Sequence, residues 1–214
     1  MRYETASLET PIGPVAVAWH GDVVVAIEMG WAKNRTRWET RDVRGTVEQH
    51  LESKLRSRDP DAQIAPGAAD APPVLTLRRY FEGDVRAIEA LRVDPGGDGF
   101  QARVWDELRR IPAGRTCTYG EIAARAGSPG SARAAGGAVG ANPIPIVIPC
   151  HRVLGAGGRL TGFGGGLPRK RWLLTHEGAA FVDDAPRQLS LSWSPNPPAT
   201  AKRPAPSSSH RGSR

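Results

Sequence analysis

Cys150 begins the triplet Cys150-His151-Arg152 and follows an apolar, proline-punctuated run that starts at Asn142. A thiolate is a strong nucleophile, and a nearby imidazole or guanidinium favours its formation. Adjacent side chains in an extended segment point apart, so a water or a backbone turn must join Cys150 to His151. Taken alone, the pair reads first as a buried structural thiol, with a nucleophile as the alternative. Glu177, taken alone, reads as an acid that bonds locally to backbone. Tyr119, taken alone, reads as a core ring in the first turn of a helix. Arg133, at another helix start, taken alone reads as ordinary surface charge. Asn142-Pro143 reads as a turn. Cys117 falls on a short extended stretch and reads as a core residue. His20, His50, His176 and His210 are scattered and suggest no metal cluster.

These residues need elements to hold them. Residues 3–9, 15–19 and 23–27 read as short strands of a β-meander. Residues 46–57 and 73–82 have helical patterning, the second carrying Val74, Leu75, Leu77, Tyr80 and Phe81 before Gly83. The Gly-Gly-Asp-Gly stretch at 96–99 reads as a link between two domains. Beyond it, Phe100, Val104, Trp105 and Leu108 line one face of a helix over 100–110. A turn at 111–115 and an extended stretch at 116–118 follow. Two short helices, 119–126 and 131–140, are joined by a tight glycine-containing turn, which is the outline of a helix-turn-helix. Residues 154–166 form a glycine-rich loop or wing, and 167–176 a last helix. Residues 29–45, with Trp31 and Trp38, carry no assignment.

The fold class expected is therefore α+β. Residues 1–95 make an α/β domain with a small antiparallel sheet. Residues 99–180 make a mostly helical domain with a winged helix-turn-helix. Residues 185–214 contain six Pro and seven Ser. Such a tail cannot bury enough apolar area to offset its ordering entropy, so disorder is expected there.

Composition narrows the function classes. The chain has 214 residues and two cysteines, which excludes a disulfide-rich scaffold and a four-cysteine zinc site. No apolar run reaches the length of a membrane helix, and the N-terminus lacks an apolar signal core. The expectation is a soluble cytoplasmic monomer, associated with the nucleoid if the source is bacterial. Residues 1–98 hold 13 basic and 16 acidic residues, whereas 99–178 hold 11 basic and 4 acidic. Positive charge thus gathers in the middle block, with five further basic residues and no acid in 185–214. Nucleic acid is the natural partner for such a block, and ordinary solubilising surface is the alternative. The glycines at 155, 157 and 158 lack the helix start and Lys-Ser/Thr of a phosphate loop. No glycine loop follows a strong strand as a nucleotide or methyl-donor cofactor would need.

Pro-Cys-His-Arg-Val (149–153), preceded by Asn-Pro-Ile-Pro-Ile-Val-Ile (142–148), resembles the active-site segment of the O6-alkylguanine-DNA alkyltransferases. Four further stretches match the same family in the same order. Residues 100–105 resemble the helix opening its C-terminal domain. Residues 111–123 resemble its first helix-turn-helix helix, and 132–143 its recognition helix. Residues 162–177 resemble its substrate loop and last helix. Residues 7–17 look like the family's opening more weakly. The resemblance implies a ribonuclease-H-like N-terminal domain and a stoichiometric repair reaction on double-stranded DNA, without a cofactor. An O6-alkylguanine, with O4-alkylthymine as a second candidate, is flipped from the duplex and Cys150 takes its alkyl group.

By the same resemblance, His151 is a water-mediated base for Cys150, Glu177 its orienting partner, and Asn142 the holder of the turn. Tyr119 donates toward guanine N3. Backbone groups of Cys150 and Val153 accept from the exocyclic amine, and the Gly164 N–H donates to O6. Arg133 fills the space left by the flipped nucleotide. Gly136, Arg152, Phe163 and Gly165 join the DNA and substrate contacts. Phe163 stands where many relatives have Tyr, and Gly164 where some have Ser, so a ring hydroxyl and a side-chain donor are missing. Gly140 and Ala141 replace basic residues common in relatives. Some members hold zinc in the N-terminal domain through Cys and His, but residues 1–95 contain no Cys, so no such zinc is expected. Other readings explain less. A relative that binds lesions without reacting would lack Cys150. A winged-helix regulator leaves the Cys-His-Arg segment unexplained, and a Cys-His hydrolase leaves the helix-turn-helix unexplained.

Overall fold

The alternation of large and small apolar residues in Val15-Ala16-Val17-Ala18-Trp19 suits a strand buried on both faces. In the computed structural model, which describes residues 1–29 and 46–183, this strand lies at the centre of a five-stranded sheet. The three N-terminal strands are β1 (Arg2–Leu8), β2 (Val15–His20) and β3 (Val23–Met29), paired antiparallel as a meander. Helix α1 (Val47–Arg58) leads to β4 (Gln63–Pro66), which adds parallel to β1. Helix α2 (Pro72–Phe81) leads to β5 (Arg92–Val93), which adds parallel to β3. The expected antiparallel sheet is thus the centre of a mixed one. Its parallel edges arise because each edge strand returns after a helix rather than a tight turn.

Each face of the sheet has its own cover. Ala16, Ala18, Val25 and Ala26 pack with Val47, Leu51 and Leu55 of α1. Val15, Val17, Trp19, Val24 and Ile27 join Val74, Leu77 and Tyr80 of α2 in the second cluster. That cluster continues past residue 99 to Val104, Trp105, Leu108, Ile144, Cys150 and Leu173. The small residues of β2 therefore face α1, while the large ones face the layer that carries the candidate chemistry.

The second half begins with α3 (Gly99–Arg109), followed by β6 (Cys117–Thr118), α4 (Tyr119–Arg125) and α5 (Ala132–Gly140). A two-residue strand, β7 (Val153–Leu154), runs parallel to β6, and α6 (Leu167–His176) closes the described region. Helix α4 starts where it does because Thr118 and Glu121 form a capping box. Gly127 and Gly130, both with positive φ, turn the chain between α4 and α5. The expected helix-turn-helix and the expected helices are present. No helix among the described residues is long and apolar enough to cross a membrane. The Trp31–Trp38 segment and the 185–214 tail lie outside the described residues.

Candidate active site

The run Asn142–Ile148 is a tight, buried loop rather than a strand. The Asn142 Nδ2 donates to the Ile148 carbonyl at 2.7 Å, and its Oδ1 accepts from Ile144 N at 3.0 Å. The side chain thus braces both ends of a loop in which Ile146 adopts φ 77°. That is a strained conformation for a β-branched residue, tolerable only because its surroundings over-determine it. From the sheet side, Ile27 N donates to the Pro143 carbonyl at 2.9 Å. The loop delivers Cys150 into a single 3₁₀ turn, Cys150–Arg152. This supplies the backbone turn that the Cys-His pair requires. Cys150, His151 and Arg152 are all buried.

Helix α6 supplies the acid. Glu177 caps its C-terminus, and Gly178 follows at φ 69°, with Ala179 N bonding back to Leu174 O at 2.9 Å. A carboxylate at a helix C-terminus is unfavourable by itself, so it needs cationic or donor partners. Arg152 answers with a two-pronged pair, Nε to Oε2 at 2.7 Å and Nη2 to Oε1 at 2.8 Å. His151 Nε2 lies 2.9 Å from the same Oε1, and the Tyr80 hydroxyl donates to it at 2.8 Å. Burial pushes the Glu177 carboxyl up, but the hydrogen bonds and charge around it win and hold it well below the usual range. Burial lowers the His151 pKa against the pull of Glu177. With Arg152 and Lys170 also nearby, the ring is neutral at neutral pH. The charge that keeps Glu177 ionised is therefore that of Arg152. Nε2 must be the protonated nitrogen, because a carboxylate only accepts. Nδ1 then carries the free lone pair, and it is buried with no hydrogen-bond partner among the described residues.

Burial also pushes the Cys150 thiol above its ordinary value, opposed by Asn142 and by the Lys170 charge. It rests as a thiol and needs a base. Lys170 itself is fully buried. Its Nζ donates to the carbonyls of Val153 and Thr161, both at 2.6 Å, and of Gly162 at 3.1 Å. Burial pulls its pKa down to about 8. Tyr119, partly buried at the start of α4, reaches the Gly162 carbonyl with its hydroxyl at 3.4 Å. Burial, then the Cys150 charge, raises its pKa, so the phenol keeps its proton. Cys117 is likewise pushed up by burial, to about 11, and is chemically quiet.

A family model described as the DNA-binding domain of 6-O-methylguanine DNA methyltransferase matches residues 99–179. The methylated-DNA–protein-cysteine methyltransferase of Mycobacterium bovis is 40% identical over 86% of this chain and 96% of its own length. That of Salmonella typhimurium is 41% identical over 83% of this chain and 97% of its own. This chain belongs to the methylated-DNA–protein-cysteine methyltransferase family. Among solved structures, Mycobacterium tuberculosis O6-methylguanine methyltransferase is 39% identical with a TM-score of 0.60, covering 82% of this chain and 93% of that one. Mycobacterium tuberculosis OGT in complex with DNA is also 39% identical, with a TM-score of 0.61 over 83% and 93% of the two chains.

In this methyltransferase-family chain the expected site residues fall into two groups, with Arg133 and Arg152 apart from both. Cys150, His151, Glu177 and Asn142 share one buried region, with Val153 directly after the Cys150–Arg152 turn. Tyr119, Gly136, Phe163, Gly164 and Gly165 form its outer side. A Cβ on Gly136 would lie 3.7 Å from the Tyr119 ring. At Gly165 a Cβ would lie 2.8 Å from both Met29 Cε and the Phe163 ring, so glycine lets the loop fold onto β3. Gly164 is exposed, and so is Arg133 in the first turn of α5. Arg152 departs from the sequence reading. It was expected among the DNA contacts, but its guanidinium is buried on Glu177 and on the Ile111 carbonyl at 2.5 Å. The Val153 carbonyl also already accepts from Lys170. Sequence reasoning missed Lys170 and Tyr80. Lys170 lay hidden in the Arg169-Lys170-Arg171 run, and Tyr80 in an apolar helix face.

Proposed function

We propose that this chain repairs O6-alkylguanine in double-stranded DNA by moving the alkyl group irreversibly onto Cys150. The carrying observation is the buried His151–Glu177 pair. Its free Nδ1 belongs to the residue beside a buried thiol, in a half-molecule that also holds a helix-turn-helix. Helix α5 serves as the recognition helix, and Arg133 at its exposed start occupies the space of a flipped nucleotide. The Phe163–Gly165 loop covers the flipped base. Its exposed Gly164 N–H donates to O6, and the Cys150 and Val153 carbonyls accept from the exocyclic amine.

In the reaction Cys150 Sγ attacks the alkyl carbon in line with the C–O6 bond. The thiol proton passes through a water to His151 Nδ1, and Glu177 stabilises the resulting imidazolium. The C–S bond forms as the C–O6 bond breaks, and the electron pair departs with guanine. Tyr119 donates its proton toward N3, so the base leaves neutral. The proton on His151 returns through solvent to the tyrosinate. In sum the thiol proton ends on guanine, and S-alkylcysteine remains. O4-alkylthymine presents the same alkoxy carbon and is a second candidate substrate. Residues 99–180 carry this chemistry, and residues 1–95 brace it.

Intact mass after incubation with duplex DNA carrying one O6-methylguanine tests the reading. The expected result is a gain of one methyl group, mapped to Cys150 and absent in Cys150→Ala. Lesion-selective binding without any gain of mass would overturn the transfer step.

A further inference from the structure

The N-terminal half reaches the proton-handling groups directly. Tyr80, from α2, is fully buried and donates its hydroxyl to Glu177 Oε1 at 2.8 Å, across 97 residues of sequence. That oxygen is the one His151 Nε2 contacts at 2.9 Å. We propose that Tyr80 is a positioning residue that sets the basicity of His151 through the shared oxygen of Glu177. The inference rests on the alkyl-transfer reading of the site.

The phenol is held for this task. His176 Nε2 donates to the Tyr80 carbonyl at 2.7 Å, and its ring meets the Tyr80 ring edge-on at 5.2 Å. Trp172 stacks on His176 at 4.6 Å, and Phe81 meets Tyr80 edge-on at 5.2 Å. Tyr80 therefore has one position for its hydroxyl. A carboxylate can only accept, so the phenol must donate. Burial, then the Glu177 charge, keeps it protonated. Each donor on Oε1 withdraws charge from the hydrogen bond to His151 and makes the imidazole less basic. The groups facing this unit are Arg152 and Lys170 as cations, Cys150 as the acid to be deprotonated, and His176 behind the phenol. Arg152 is fixed by Glu177 and Ile111, so Tyr80 is the neutral adjuster. The consequence is a base that remains unprotonated below the ordinary histidine range.

Single-turnover transfer from O6-methylguanine DNA, followed across pH 5–8, tests this. In the wild-type protein the acid limb lies below about 6.5, the ordinary histidine value. In Tyr80→Phe the limb moves to higher pH by about half to one unit, since Glu177 now bonds His151 more strongly. Transfer at the acid end slows by about three- to tenfold, while rates at pH 8 stay within about twofold. Phe81→Leu disturbs the same packing without touching a hydroxyl, and its rates change by one factor at every pH. Placing 3-fluorotyrosine at position 80 keeps the ring and strengthens the donor, which moves the limb to lower pH. This second variant decides the matter if Tyr80→Phe fails to fold. Limbs superimposable on wild type in the folded variants overturn the role of Tyr80 and leave the alkyl-transfer reading standing. No transfer by the wild-type protein at any pH overturns both.

Discussion

Glu177 is held from several sides at once. Four donor contacts from three side chains meet its two oxygens, and two of those side chains are neutral. Replacing it by Gln keeps the shape but strands the Arg152 charge in the core. Glu177→Gln should lose about 3–5 kcal/mol of stability at pH 7, the usual cost of breaking a buried pair. The pH dependence follows in sign. The folded-state pKa is depressed, so the contribution is whole above the ordinary glutamate value of 4.5 and is lost as pH falls through the folded value. Urea midpoints should therefore converge between wild type and Glu177→Gln on acidification. Parallel curves would show that Glu177 is not the group being titrated. The family resemblance pointed to Glu177 as a partner for His151. It could not show that Arg152 faces inward, because an arginine beside a candidate nucleophile in a basic block looks equally suited to DNA.

Among the elements, the glycine-rich loop and α6 act together. Lys170 joins the β7 carbonyl of Val153 to the Thr161 and Gly162 carbonyls, so the loop cannot move independently of the cysteine segment. Arg169 adds a second tie, from Gly165 O at 3.2 Å to Ile12 O at 2.8 Å. Lys170→Met keeps the apolar stem and removes all three bonds. It should slow transfer by about tenfold or more, because small misplacements of reacting groups are costly. Amide exchange at 162–165 should quicken in parallel. Slower transfer with unchanged exchange would assign Lys170 an electrostatic role instead. Gly67 marks a different kind of constraint, since a Cβ there would lie 2.3 Å from the Trp19 ring. Gly67→Ala should cost about 1–3 kcal/mol, read from the urea midpoint, as overpacking usually does. The helices were legible from apolar spacing and from caps such as Thr118 with Glu121. The loop ties were not, since backbone carbonyls leave no trace in a sequence.

At the scale of the whole molecule, charge and packing divide the work differently. The excess of basic residues lies in 99–178 and again in 185–214, whereas the sheet and its helices are near balance. Removing 185–214 takes away five basic residues. If they touch phosphate, the slope of log affinity against log salt should flatten by about 0.9 for each phosphate no longer neutralised. An unchanged slope would confine DNA binding to residues 1–184. The packing runs the other way. One apolar cluster takes in Ile27 and Tyr80 from the first half and Cys150 and Leu173 from the second. The Ile12 carbonyl accepts from Arg169 of α6, Ile27 N donates to Pro143 of the cysteine loop, and Tyr80 donates to Glu177.

The amino-acid order alone displayed the adjacent Cys150 and His151, the outline of the helix-turn-helix and the family resemblance. These are local: a thiol next to an imidazole, a Thr-x-x-Glu cap, glycines at turns, and short motifs in register. Tertiary structure decided which nitrogen of His151 is free, which cations are buried, and that α2 lends its phenol to the acid. Those facts depend on groups far apart in the chain meeting in a low-dielectric interior. There, who donates to whom sets protonation, and no spacing of residue types encodes it.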